Sequence, residues 1–189
     1  MKSLVAAAAL LALAGAAQAQ ATHYQFDPTH TFANFEIGHM GTSTIRGRFD
    51  RKQGSAQIDR AAKAGRIDVT LEAGSISTGV APFDKHLQSA DFFNVAQFPN
   101  ITFTSDKLVF AGDKLSEVTG TLVLLGKALP VTLKATRFNC YESPMIKREV
   151  CGGDFETTIK RSQWGMNWGL NFGAPDDVRL LVQVEGIKQ

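Results

Sequence analysis

Eight segments of the chain alternate apolar and polar residues with a period of two, and this pattern restricts the fold more than any other feature. In residues 66–72, for example, Ile67, Val69 and Leu71 alternate with charged or hydroxyl side chains. Because successive side chains of a β-strand point to opposite faces, the pattern predicts strands with one buried and one solvated face. The eight predicted strands are residues 31–40, 45–49, 66–72, 101–104, 120–125, 131–136, 155–160 and 178–185.

Turn-forming residues separate these predicted strands. They lie at Gly41 and in residues 51–54, 111–113, 126–127 and 173–175. Regular strands joined by turns indicate an all-β antiparallel fold, and a chain of 189 residues is of the size of one domain. Eight such strands form either a closed barrel or a sandwich. The interior of an eight-stranded barrel is either filled by side chains or holds one ligand.

The composition points to a large apolar interior. The chain contains 13 Phe but only 2 Trp and 2 Tyr, and Phe has no polar group that needs a partner. Hydrophobic residues make up 44% of the chain, which excludes a disordered protein. The formal net charge of +2 lacks the dense positive charge that nucleic-acid binding requires, so we expect no nucleic-acid partner.

The first residues have the features of a secretory signal peptide. Lys2 precedes an apolar run over residues 4–17, and small residues follow at the spacing of a cleavage site. Cleavage after Ala19 and cleavage after Ala21 both fit. Residues 1–19 are therefore predicted to be removed and residues 20–189 to form one exported barrel domain. No later segment approaches the ~20 apolar residues that span a bilayer, so no stable membrane insertion is expected.

The chain contains two cysteines, Cys140 and Cys151. Because an exported protein folds in an oxidising compartment, a disulfide between them is the expected state. Its loop entropy would contribute roughly 2–3 kcal/mol. A metal or redox pair has little support, since there is no Cys-x-x-Cys motif and no His between the two residues.

One stretch departs from the strand pattern and is predicted to be a short helix over residues 82–89, with Pro82 in its first turn. Phe83 and Leu87 lie four residues apart, on the same helical face. Phe92 and Phe93 follow in a predicted turn. This much apolar surface on a short insertion predicts a lid, which either closes one end of a barrel core or covers an apolar ligand.

The sequence contains none of the common catalytic or nucleotide-binding motifs, and no Ser, His and Asp spacing indicates a triad. We therefore expect no catalytic residues, no metal, no cofactor and no enzyme activity. His39 and His86 are either hydrogen-bonded core residues or contacts for a ligand head group. Arg161 has the strand parity of Phe155 and Ile159. It is expected to face a barrel end, to pair with an acidic neighbour or to meet an anionic ligand head, in that order.

Several segments resemble the YceI-like family of exported polyisoprenoid-binding proteins. The most specific is SISTG at residues 75–79, which continues through DKHLQSADFFN at residues 84–94 to ITFTS at residues 101–105. The others are HTFANFEIGHMG at 30–41, GRF at 47–49, GTLVLLG at 120–126, PVTL at 130–133 and DVRLLVQVEG at 177–186. Together they cover nearly the whole mature chain. The segment between the two cysteines is not expected of every member of the family.

The resemblance implies an eight-stranded antiparallel, lipocalin-like barrel that holds an isoprenoid lipid, of polyprenyl or quinone type, in an apolar channel. It also implies a periplasmic location. The residues predicted to bind the ligand, by strand parity or by their place on the lid, are Phe35, Ile37, His39, Phe49, Ile67, Val69, Leu71, Phe83, His86, Leu87, Phe92, Phe93, Ile101, Phe103, Leu122, Leu124, Leu133, Phe155, Arg161 and Val182.

Two other functions stay open at this point. One is an enzyme or stress protein that acts on a small apolar substrate inside the same barrel. The other is an interaction module in which the inward residues fill a core and an exposed apolar patch binds a partner. The last strand could equally lie at the edge of a homodimer or within a closed barrel.

Overall fold

The computed structural model describes residues 21–189. They form eleven β-strands and one α-helix, α1 (Ala81–Gln88), together with three short 3-10 turns at Ala73–Ser75, Arg161–Trp164 and Leu170–Phe172. The strands are β1 (Thr22–Phe26), β2 (Phe32–His39), β3 (Ser43–Phe49), β4 (Lys52–Asp59), β5 (Ala64–Glu72), β6 (Ile76–Ser77), β7 (Asn100–Ala111), β8 (Lys114–Leu124), β9 (Lys127–Glu142), β10 (Glu149–Lys160) and β11 (Asp177–Lys188).

The strands close into an antiparallel barrel of eight positions, which confirms the predicted fold. The ring runs β1–β4–β5–β7–β8–β9–β10–β11 and closes where β11 pairs with β1. Strands β2, β3 and β6 extend three of these positions toward one end of the barrel. One end of β11 pairs with β2, from Val178 to Gln183, and the other end pairs with β1, from Gly186 to Lys188. Strand β11 is therefore paired along both edges.

Two breaks in the strands, at about the same height in the barrel, separate β1 from β2 and β3 from β4. Asp27 and Pro28 lie in the break between β1 and β2. The Oδ1 atom of Asp27 accepts hydrogen bonds from the backbone nitrogen and the hydroxyl of Thr29, at 2.8 and 2.6 Å. Between β3 and β4, the backbone nitrogen of Arg51 donates to Ser75 Oγ at 2.9 Å. The turn predicted for residues 51–54 is wrong for its last three residues, which begin β4.

Helix α1 lies where it was predicted, within one residue. Asp84 Oδ1 accepts hydrogen bonds from the backbone nitrogen and hydroxyl of Thr78, at 2.7 and 2.6 Å, and so joins the first turn of the helix to the preceding loop. After the helix, the backbone nitrogen of Phe93 donates to the Leu87 carbonyl at 2.9 Å. This bond folds the predicted turn back against the helix and holds both phenylalanines against the barrel.

The predicted disulfide between Cys140 and Cys151 is present and joins residues that are partners in the β9–β10 ladder. Beside it, Tyr24 donates a hydrogen bond of 2.7 Å to Glu149, and the Arg60 guanidinium donates to both. Burial and the bond to Glu149 raise the pKa of Tyr24 to about 12. These groups form a cross-linked polar cluster at the end of the barrel opposite α1.

The predicted signal peptide, residues 1–19, lies outside the described residues. Between residues 21 and 189, no helix has the length and apolar character needed to cross a membrane.

Candidate functional site

The barrel contains a cavity of about 560 Å³ in the half that is bounded by β2 and β3. This volume falls within the range of pockets that hold small-molecule ligands. Apolar side chains form nearly the whole wall, and seven of them are phenylalanines: Phe35, Phe49, Phe83, Phe92, Phe93, Phe103 and Phe172. The inward residues of this half therefore line an open space and do not fill a core.

A second cavity, of about 110 Å³, lies in the other half of the barrel, next to β1 and β4. The two cavities adjoin, because a ring of residues from β2, β5, β7, β9 and β11 lines both of them. We call this ring the waist; its members are Ala33, Val69, Leu71, Phe103, Leu133 and Val182. The waist residues therefore separate two adjacent cavities, one in each half of the barrel.

The α1 insertion forms part of the wall of the larger cavity. Phe83 and Leu87 contribute from the helix, and Phe92 and Phe93 from the turn that follows. The Phe93 ring meets the Phe49 ring edge-on, with centroids 5.5 Å apart. The insertion therefore covers the side of the barrel where β6 is only two residues long.

Arg161 is a buried cation on the wall of the larger cavity, and it is 3% exposed. Its Nε donates to the Pro175 carbonyl and its Nη1 donates to the Met166 carbonyl, both at 2.9 Å. Burial lowers the pKa of Arg161, while the charge of Asp176 acts in the opposite direction. The guanidinium therefore anchors the β10–β11 connection and also presents positive charge to an otherwise apolar cavity.

The structure places all but one of the predicted site residues on a cavity wall. The larger cavity alone is lined by Phe35, Ile37, His39, Phe49, Phe83, Leu87, Phe92, Phe93, Ile101, Leu122, Leu124 and Arg161. Ile67 and Phe155 line the smaller cavity alone. The remaining predicted residues, Val69, Leu71, Phe103, Leu133 and Val182, belong to the waist.

His86 is the predicted residue that lies outside both cavities. Its Nε2 atom is 2.9 Å from a carboxylate oxygen of Asp91, and its ring packs edge-on against Phe92 and Trp168. The imidazole therefore packs against two residues of the cavity wall, Phe92 and Trp168, without lining the cavity itself.

Sequence reasoning missed the contribution of the β10–β11 connection. Met166, Trp168 and Phe172 from this segment line the larger cavity, as does Met40 from the β2–β3 turn. Met40 is the last residue of the alternating segment 31–40, and the other three residues belong to no alternating segment. The available signal was that both tryptophans of the chain, Trp164 and Trp168, occur in this short glycine-containing segment.

One group of three side chains of metal-ligand type occurs among the described residues, namely Cys140, Glu149 and Cys151. Both sulfur atoms are joined in the disulfide, so neither is a thiolate. The Arg60 guanidinium also lies 2.7 Å from Cys140 Sγ and repels a second cation. This cluster does not fit a metal ion in the oxidised protein.

Comparison with known proteins identifies the family. A family model for the YceI-like domain matches residues 24–186. The chain belongs to the YceI-like family. Among its YceI-like relatives, Protein YceI of Salmonella arizonae is 36% identical over 183 residues, which cover 96% of this chain and 94% of the relative.

Solved structures of YceI-like proteins have the same barrel. The YceI protein of Campylobacter jejuni superposes with a TM-score of 0.69 at 27% identity, over 81% of this chain and 90% of its own. A polyisoprenoid-binding domain from Saccharophagus degradans superposes with a TM-score of 0.63 at 18% identity, over 88% of this chain and 98% of its own. At that identity the second likeness shows the fold alone.

Proposed function

We propose that this protein is a periplasmic carrier that holds an isoprenoid lipid, of polyprenyl or quinone type, in the barrel. The observation that carries the proposal is the 560 Å³ cavity with its almost wholly apolar wall. An isoprenoid tail has almost no hydrogen-bonding groups, and its burial is favourable by roughly 25 cal/mol per Å² of apolar surface. The predicted signal peptide supports the periplasmic location.

The shape of the interior supports a long ligand. The tail would occupy the larger cavity and reach through the waist into the smaller one. Its polar head would lie near Arg161 and His39, two of the polar side chains on the cavity wall. Both hydrogen-bond partners of Arg161 are neutral carbonyl oxygens, so the positive charge favours an electron-rich head such as a phosphate or a quinone oxygen.

The chemistry of the wall supports a binding role. Apart from Arg161 and His39, the larger cavity is lined almost entirely by hydrocarbon and aromatic groups. An acid–base pair or an activated nucleophile needs two polar side chains within hydrogen-bonding reach of each other. An apolar wall favours the binding of an apolar ligand. We therefore propose a binding role and no reaction.

Native mass spectrometry of the exported protein, followed by organic extraction, tests the proposal. Two variants on neighbouring residues of β8 provide a matched comparison, because Leu122 lines the cavity and Val123 points to the opposite face. We expect a stoichiometric isoprenoid in the wild type and in Val123→Asp, and none in Leu122→Asp. Circular dichroism establishes that all three are folded. An empty wild type that also refuses added polyprenyl lipids, or a folded Leu122→Asp that retains its lipid, would overturn the proposal.

A further inference from the structure

Three large apolar side chains are exposed where the larger cavity meets the surface. Met40, Trp168 and Phe172 are 60%, 46% and 73% exposed, yet all three also line the cavity. A side chain that faces both a cavity and the solvent marks the opening of that cavity. We call these three residues the collar.

The collar is held in place by its surroundings. The Met40 Cε atom lies near Gly173, 3.7 Å from the position that a Cβ would take there, so the two loops of the collar are in contact. The Trp168 ring packs against His86 and Phe92, with centroids 4.8 and 5.2 Å away. Gly169 and Gly173 bend the loop through left-handed conformations that keep Phe172 outside the barrel. The apolar groups are thus displayed by a defined structure.

We propose that the collar docks on the surface of a lipid bilayer, so that the cavity opens directly onto the acyl chains. The inference rests on the proposed function, because a tail that passes between a bilayer and the barrel avoids water only if the mouth touches the membrane. Trp and Phe are also the residue types that favour the interface between water and lipid. The collar is continuous with the cavity wall, as such a passage requires.

The charges near the mouth suit a lipid surface better than a basic protein partner. Lipid phosphates repel carboxylates. Two carboxylates at this end of the barrel form ion pairs within the chain, Asp91 with His86 and Asp177 with Lys160. Lys85 is exposed on α1, whose inner face lines the cavity. Its ammonium group is available for a phosphate beside the mouth.

The two tryptophans allow docking to be measured directly. Trp164 is buried, 3% exposed, and its indole nitrogen donates to the Leu122 carbonyl. Trp168 is therefore the tryptophan that can report on a membrane. On vesicles of phosphatidylcholine and phosphatidylglycerol with brominated acyl chains, we expect the emission of Trp168 to shift to the blue and to be quenched. A Trp164→Phe variant isolates this signal.

Vesicle flotation with matched variants locates the docking surface. Trp168→Ser and Phe172→Ser should each weaken vesicle binding roughly tenfold, the order expected for one lost aromatic contact. The control is Met145→Ser with Ile146→Ser, because these residues are also exposed but lie on the β9–β10 turn. That turn is at the far end of a 12-residue strand, and the control should float like the wild type.

The outcomes separate this proposal from the proposed function. A protein that contains lipid but ignores vesicles overturns the docking proposal alone. A protein without lipid that still floats overturns the carrier function alone. Equal flotation of the wild type and the collar variants, or loss of flotation in the β9–β10 control, overturns the collar as the docking surface. A dimer in solution that the collar variants abolish would assign the collar to a second copy of the chain instead.

Discussion

Phe35 lies directly opposite Gly47 in the β2–β3 ladder, and its ring occupies the space in which a side chain at position 47 would stand. A Cβ at Gly47 would lie 2.4 Å from Phe35 Cζ and 2.6 Å from Cε1. The absence of a side chain at position 47 therefore lets the ring rest over the neighbouring strand. Phe35 therefore lines the larger cavity without its ring filling the cavity space.

The first prediction follows from this pair. Gly47→Ala should push the end of the flexible Phe35 side chain into the larger cavity and weaken the binding of an apolar fluorescent dye several-fold, while the fold is kept. Titration with N-phenylnaphthylamine measures this. Gly74→Ala is the control, because a Cβ there meets no atom within 4 Å. Phe35→Leu added to Gly47→Ala should restore binding, and failure of this rescue would contradict the steric explanation.

A second prediction concerns the waist. Ala33 is its smallest member and lies opposite Val182 in the β2–β11 ladder. Ala33→Phe should close the passage to the smaller cavity, so that from a mixture of polyprenyl lipids the variant retains shorter tails than the wild type does. Extraction and mass spectrometry give the retained lengths. Ala128→Phe, on an exposed position of β9, should leave the length distribution unchanged. Identical distributions in Ala33→Phe and the wild type would exclude the passage.

The third prediction concerns Arg161. Arg161→Met removes the donors to the carbonyls of Pro175 and Met166, and each buried polar group left without a partner costs roughly 1–3 kcal/mol. For two carbonyls, the free energy of unfolding measured in urea should therefore fall by about 2–6 kcal/mol. Arg161→Lys keeps the charge but has a single donor nitrogen, so its stability should lie between those of the wild type and Arg161→Met. A variant as stable as the wild type would show that the carbonyls find other partners.

The disulfide gives a fourth prediction. Replacing both Cys140 and Cys151 by Ser should lower the free energy of unfolding by roughly 2–3 kcal/mol, because the unfolded chain loses a short closed loop. Dithiothreitol should produce the same loss in the wild type and no change in the double variant. A loss on reduction that also occurs in the variant would point to an effect of the reagent.

The fifth prediction is a pH dependence at Asp27. Hydrogen bonds from Thr29 and His30 hold the pKa of Asp27 at about 2, against an ordinary value of 3.8, although burial acts in the opposite direction. Because the pKa is lower in the folded state, Asp27 contributes stability above 3.8 and loses it as the pH falls toward 2. The urea midpoint of the wild type should therefore fall more steeply over this interval than that of Asp27→Asn. Parallel slopes would contradict the assignment.

The strands that could be predicted are those that bury one face. Residues 66–72 alternate cleanly and lie within β5. By contrast, Ala56 and Ile58 are the only hydrophobic residues of β4, which is held by backbone pairing with β1 and β5. Strand β7 was predicted to end at residue 104 but runs to Ala111, because a register shift between Ser105 and Lys107 interrupts the alternation. A bulge changes which face a residue points to, so strand parity fails beyond it.

The wall of the cavity was predictable where it consists of strands and of one helical face. Strand parity identified Phe35, Ile37 and Phe103 as inward residues, and helical spacing identified Phe83 with Leu87. Neither pattern could show that these residues enclose an open space, because the residues of a filled core have the same periodicity. The collar residue Phe172 lies in a 3-10 turn of three residues, which is too short to give a repeating pattern of apolar residues in the sequence.

The pairing of β11 determines when the protein can complete its fold. Tyr24, near the start of the described chain, pairs with Lys188 near its end, and the other end of β11 pairs with β2. A chain that emerges N-terminus first therefore keeps one edge of both β1 and β2 unpaired until β11 arrives. Such long-range closure makes folding slow, and exposed strand edges favour aggregation during the delay. Until the last strand is in place, the open edges of β1 and β2 are where two unfinished chains would pair with each other.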